Sequence, residues 1–218
     1  MNTGFWNFRL DGRTTVVIGT EPSLIAVVTR ALTDAGAHVV RLPTAGDSPS
    51  RMADLAAAIA QLPSLDILVN LVGFDRGRPL QSIVEQELDD VIEEVVEGSF
   101  LVSQAAADKM RSRGAAEPLA SIVHVGTPLA RVGAADRSLC CMAMHALRGL
   151  TMASAVELGP IGIRVNLLEA NFDEHRERAL SHGATVEGMA ASIVYLASSA
   201  AAGMTGASVL LDAGWTSR

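Results

Sequence analysis

The sequence predicts an α/β fold: a doubly wound parallel sheet with helices on both faces. Three observations carry this. Short β-branched, apolar runs alternate with segments of helical periodicity. The strand-like runs are apolar throughout, as expected of strands covered on both sides. The segments between them are long enough for crossover helices.

Residues 14–19 (TTVVIG) read as the first strand. The helix after it carries Leu24, Val28, Ala31, Leu32 and Ala35 at helical spacing. Pro22 suits its first turn and Gly36 its C-terminal cap. Residues 38–42 (HVVRL) form a second strand, 50–62 a helix and 65–73 (LDILVNLVG) a third strand. A long helix is expected over residues 85–113, then a strand at 121–126. Helices at 137–158 and 185–199 flank a strand at 163–170, and SVLLD (208–212) is the last strand.

The 218 residues are 49% hydrophobic, enough to build the core of a single domain over 1–218. No repeat or linker divides them, and the polar loop 44–50 is too short to do so. The net charge of −7, without a Lys/Arg cluster, argues against nucleic acid or an anionic membrane as partner. Aromatics at 4% offer no base-stacking platform. The N-terminus has no basic-then-apolar signal pattern. The longest low-polarity stretch, 190–204, is shorter than the roughly 18 residues of a spanning helix. Cys140 and Cys141 are adjacent and make no disulfide framework. A cytoplasmic protein is expected.

Five segments together resemble the short-chain dehydrogenase/reductase family. They are FRLDGRTTVVIG (8–19), LDILVN with Gly73, GSFLVSQAAADKM (98–110), ALRGLTMASAVELGPIGIRVN (146–166) and VYLASSAAAGMTGASVLLDAGW (194–215). The resemblance covers nearly the whole chain and implies a single-domain Rossmann-like sheet. It also implies hydride transfer between a nicotinamide cofactor and a carbonyl or alcohol carbon. The family uses a Tyr acid/base, a Lys beside it, a Ser that orients the substrate oxygen and an Asn in a proton relay.

Carried over by position, the Asn falls on Val95, the Ser on Thr127, the Tyr on Cys140 and the Lys on Met144. Thr127 keeps a hydroxyl. Val95 and Met144 offer no proton, and Cys140 has no cation four residues on to assist it. In the family's glycine-rich turn, only Gly19 survives in Ile18-Gly19-Thr20-Glu21-Pro22-Ser23-Leu24-Ile25. Ile25 is branched where close approach is needed, and Glu21 puts a carboxylate at the positive end of a helix. Pro43 replaces the acidic residue expected to hold the ribose. The spacing also predicts a shortened fold, with the third-strand region (43–64) and the substrate lid (170–186) reduced.

Other features have plain readings. Cys141 and His145 share a helix face at i, i+4, which fits packing better than a thiolate–imidazole dyad. The five histidines show no ligand spacing, so no metal is expected. Asp89, Asp90, Glu93, Glu94 and Glu97 read as a solvated face, and Met142, Met144 and Met152 as core.

The expectation from this reading is a non-catalytic subunit. It would carry no catalytic, cofactor-binding or metal residue of its own, like the inactive chain of heteromeric family members such as the hydroxybenzylsuccinyl-CoA dehydrogenase. It would pair with an active short-chain dehydrogenase paralogue that holds the NAD or NADP. Two alternatives stand beside it: a homo-oligomeric protein binding a small ligand or acyl-CoA, and an atypical stand-alone NAD(P)-dependent oxidoreductase.

Overall fold

The computed structural model describes residues 8–40, 42, 52–73, 77–112, 119–170 and 184–217. Six strands form one parallel sheet: β1 (Thr14–Gly19), β2 (His38–Val40), β3 (Ile67–Leu71), β4 (Ala120–Gly126), β5 (Ile163–Ala170) and β6 (Ser208–Leu211). Their spatial order is β2-β1-β3-β4-β5-β6. Every residue of β3, β4 and β5 is buried. This explains their apolar runs, because parallel strands are covered on both faces.

The helices are α1 (Pro22–Asp34), α2 (Met52–Ala60), α3 (Glu85–Val91), α4 (Gly98–Arg111), α5 (Ser138–Leu158) and α6 (Val186–Ala197). Helices α1 and α6 cover one face around Val28, Leu32, Val69, Leu168 and Ile193. Helices α2 and α4 cover the other around Ile59, Leu68, Val102 and Ile122. A third apolar cluster, with Val91, Val95, Cys140, Met144, Leu147 and Leu167, ties α3 and α5 to the sheet.

The expected helix over 85–113 is not continuous. A π-helical turn, Ile92–Glu97, separates α3 from α4. Such a turn inserts a residue into the helical ladder, and hydrophobic spacing does not reveal it.

The sheet is complete, which corrects the expectation of a shortened fold. From β2 the chain returns through the nine residues of α2 and places β3 directly beside β1, pairing Thr15–Gly19 with Ile67–Leu71. One short crossover therefore closes the order of six strands without a gap. Residues 43–51 and 171–183, on which much of the shortening argument and Pro43 fall, lie outside the described residues.

Among the described residues one helical stretch, Ser138–Ile161, is long and apolar enough to cross a membrane by composition. It buries one face, at Cys140, Ala143, Met144, Leu147, Thr151 and Ala155, and leaves Met142, Met152 and Val156 exposed.

Candidate functional site

The order of strands reverses between β1 and β3. From β1 the chain moves outward to β2, and from β3 it runs in the opposite direction. The crevice above such a switch point, at the carboxyl ends of the strands, is where open α/β sheets place ligands. Here it is bounded by Gly19, Thr20 and Gly73. A Cβ on Gly19 would lie 2.9 Å from Leu71 Cβ and 3.0 Å from its carbonyl oxygen, so this end of β1 closes tightly on β3. A Cβ on Gly73 would meet only Thr20 Oγ1, at 3.5 Å. The main chain is thus packed close at Gly19 and open at Gly73.

The amino end of α1 faces this crevice with its own carboxylate. Glu21 is the N-cap, and its Oε1 accepts hydrogen bonds from Ser23 N at 3.3 Å and Ser23 Oγ at 2.9 Å. Pro22 contributes no N–H. A phosphate would meet one amide already taken by Glu21, on an exposed side chain that is able to turn aside.

Thr127 follows β4 and caps the short turn Pro128–Ala130, where its Oγ1 accepts from Leu129 N at 3.3 Å. This fixes the hydroxyl's position and leaves its own proton for another acceptor. Cys140 and Met144, one turn apart on α5, are both wholly buried. The Met144 sulfur accepts the Thr127 N–H at 3.4 Å and packs above Gly126, where a Cβ would lie 2.8 Å from it. Val95 lies buried in the π-helical turn. The structure thus brings Thr127, Cys140 and Met144 together, as the resemblance implies. Val95 and Leu147 line a small cleft of about 90 Å³ between α4 and α5, along with Ser99 and Phe100. That is well below the several hundred Å³ of a typical small-molecule site.

Two residues missed in the sequence reading stand out here. Glu169, at the carboxyl end of β5, has no exposed surface. Arg131, just after the Pro128–Ala130 turn, donates from Nε to Glu169 Oε2 at 2.5 Å and from Nη2 to the Ser208 carbonyl at 2.7 Å. Glu169 Oε1 is buried with no hydrogen-bond partner. The signal was present in the sequence: a carboxylate inside the apolar run IRVNLLEA.

Beneath the site, His124 is wholly buried. Its Nδ1 lies 3.3 Å from Asn70 Nδ2 and its Nε2 3.4 Å from Ser103 Oγ. Asn70 also donates to Ser99 Oγ at 3.1 Å, which joins β3, β4 and α4 in one polar network. Burial pushes the His124 imidazole down to about 4, so it is neutral at physiological pH.

The Cys141–His145 pair makes no dyad. His145 Nδ1 meets the Cys141 carbonyl at 2.7 Å, and the Cys141 thiol donates to the Val132 carbonyl at 3.6 Å. Of the three methionines read as core, Met144 is buried but Met142 and Met152 are 42% and 53% exposed. Among the described residues, no three His, Cys, Asp or Glu side chains gather to hold a metal ion.

The family profile described as enoyl-(acyl carrier protein) reductase matches residues 11–216. D-threitol dehydrogenase of Mycolicibacterium smegmatis is 27% identical, over 97% of this chain and 95% of its own. A short-chain dehydrogenase/reductase from Serratia marcescens superposes with a TM-score of 0.79 at 28% identity, covering 95% of this chain and 99% of that one. A gluconate 5-dehydrogenase from Burkholderia cenocepacia, in complex with NADP and tartrate, gives a TM-score of 0.83 at 23% identity, covering 97% and 98%.

These matches overturn several expectations. The chain parallels whole dehydrogenases from end to end, so neither a shortened fold nor a non-catalytic subunit follows. An obligate active paralogue and a cofactor held only by that partner fall with it. The sequence argument counted side chains lost from motifs. A dinucleotide crevice is made largely by strand ends and main chain, and the strand order that creates the switch point is present in this chain. The chain belongs to the short-chain dehydrogenase/reductase family.

Proposed function

We propose that this chain acts by itself as an atypical NAD(P)-dependent oxidoreductase on an alcohol or carbonyl compound, in the reducing cytoplasm. The observation that supports the reading is the reversal of strand order between β1 and β3 within this one chain, where open α/β sheets place ligands. The relatives with known reactions support it. The D-threitol dehydrogenase aligns over 97% of this chain and 95% of its own, and the gluconate 5-dehydrogenase of the same fold is in complex with NADP. Neither cysteine is in a disulfide, in keeping with a reducing compartment.

The dinucleotide, when bound, supplies hydride chemistry. Gly19, Thr20 and Gly73 would hold it, with Glu21 turned away from the amino end of α1. Thr127 presents a fixed hydroxyl that orients the substrate oxygen. The buried sulfur of Met144 holds the Thr127 amide in place and carries no proton. Val95, Cys140 and Met144 are assigned no proton transfer, which sets this chain apart from Tyr/Lys members of its family. General acid/base help is worth about 10²–10⁴-fold, so turnover is expected to be low.

Calorimetric titration of the isolated chain with NAD+, NADH, NADP+ and NADPH tests the reading. Saturable binding of one oxidised/reduced pair is expected. Absence of binding by all four at millimolar concentration would overturn it.

A further inference from the structure

From the short turn Leu80–Ser82 to the start of α4, side chains four residues apart are all apolar: Leu80, Val84, Leu88, Ile92, Val96 and Phe100. Leu80 and Val84 are 71% and 55% exposed, Leu88 and Ile92 37% and 40%, and Phe100 52%. Exposed apolar residues standing singly are ordinary, but a continuous row of them marks a contact surface. A spacing of four overshoots the 3.6 residues of an α-helical turn, so such a row would wind round the helix. The wider π-helical turn Ile92–Glu97 takes back part of that drift and brings Val96 and Phe100 toward the line of Leu88.

Beside this row runs a second one with the same period, acidic throughout: Glu85, Asp89, Glu93 and Glu97. All four are exposed, and among the described residues none of them pairs with a cation. Like charges four residues apart weaken a helix, and nothing among the described residues relieves that repulsion. Toward α5, the row borders the cleft of about 90 Å³ between Val96, Phe100, Ala146 and Leu150. Too small for a typical small molecule, the cleft suits one apolar anchor residue.

These three features define the chemistry of the occupant. The apolar row matches a helix with apolar residues at i and i+4, and the cleft takes one of them. The acidic row matches Lys or Arg along one edge of that helix. A second copy of this chain is the wrong occupant. A two-fold axis perpendicular to the row would lay the acidic flank of one copy on the same flank of the other. The net charge of −7 adds to that repulsion, and it repels an anionic membrane as well.

We propose that the face formed by α3, the π-helical turn and the start of α4 is a docking site for a basic amphipathic helix of another protein. Leu88, Ile92 and Phe100 receive its apolar side, and Glu85, Asp89, Glu93 and Glu97 receive its cations. The site is separate from the β1–β3 crevice and does not depend on what that crevice binds.

The test is fluorescence anisotropy of the full chain with labelled peptides of about 18 residues, long enough for several helical turns. The probe peptide is built from Leu, Lys and Ala, with Leu on one helical face and Lys along its edge. Two controls replace each Lys by Glu, or scramble the order so that no face forms. Wild type is expected to bind the Lys peptide saturably, at least about tenfold more tightly than either control. Glu93→Lys/Glu97→Lys should reverse the order of the Lys and Glu peptides. Phe100→Ala should weaken the Lys peptide at least about fivefold. Asp34→Lys/Glu187→Lys makes the same change in net charge on exposed positions of α1 and α6, and should leave binding within about twofold of wild type. Any of three results overturns the proposal. The first is a Lys peptide bound no better than its scrambled control. The second is equal weakening by the two charge variants, which would reduce the effect to overall charge. The third is a wild-type dimer in sedimentation that Leu88→Glu/Phe100→Glu dissociates, which would give the face to a second copy of the chain.

Discussion

Two Arg–carboxylate pairs with a buried carboxylate sit at opposite edges of the same sheet, and they are built differently. At the amino edge, Arg13 and Asp66 approach at 3.7 Å and are both nearly inaccessible. Asp66 Oδ2 accepts the Thr14 N–H at 2.7 Å, and Arg13 Nη2 donates to the Leu119 carbonyl at 2.8 Å. Both members spend their bonds on the backbone that starts β1 and β4. At the carboxyl edge, Arg131 and Glu169 meet more closely, yet one oxygen of Glu169 is left bare. The first pair is bonded to the backbone through both members. The second is open on one side, at the edge where α/β sheets work.

Breaking one member of the open pair should have the largest effect. Arg131→Met alone leaves Glu169 buried without its cation, and a loss of about 3–5 kcal/mol is expected in urea unfolding. Arg131→Met/Glu169→Leu should recover most of that loss. The matching double change at the first pair, Arg13→Met/Asp66→Leu, should not recover, because Thr14 N and the Leu119 carbonyl then lose their partners. Equal recovery at both edges would erase the distinction.

Next comes acid. The His124 network is a closed polar cluster of a neutral kind, and protonation breaks it. The imidazole lies near 6.5 in the unfolded chain and is pushed down to about 4 in the fold. The unfolded state therefore takes up a proton over that interval and the folded state does not. Stability should be full above pH 6.5, fall by about 3 kcal/mol as the pH drops to 4, and level off in this component below that. Unfolding of His124→Asn over the same range should lack that component.

Smaller effects are expected at the crevice. Gly19→Ala pushes a methyl against Leu71 and its carbonyl, and should cost about 1–3 kcal/mol while weakening dinucleotide binding. Glu21→Ser keeps a capping side chain and removes the carboxylate. Stability should change by only a few tenths of a kcal/mol, while NAD+ or NADP+ affinity rises by about twofold to tenfold. Unchanged affinity would show that Glu21 does not contest the phosphate position.

The scaffold was largely legible in the sequence. Buried parallel strands such as 14–19 and 163–170 must be continuous apolar runs, and such runs announce themselves. The π-helical turn at Ile92–Glu97 was not legible, since one extra residue barely shifts the apolar stripe. At the site, Thr127, Cys140 and Met144 were placed by the resemblance to the family. Glu169 and Arg131 could not be paired, because they are 38 residues apart and meet only through the register of β4 with β5. The cofactor argument went astray because side chains are visible in a sequence, whereas the close passage of β1 against β3 at Gly19 is a property of backbone paths.

The strand order has a further consequence for how the chain is made. From β3 onward, each new strand docks on the one that precedes it in synthesis: β4 on β3, β5 on β4 and β6 on β5. Only β3 must look past its predecessor, to β1 instead of β2. Once that contact forms, the emerging chain always finds its template finished and waiting. Assembly on the ribosome can then proceed in one direction, with a single unpaired growing edge exposed at a time.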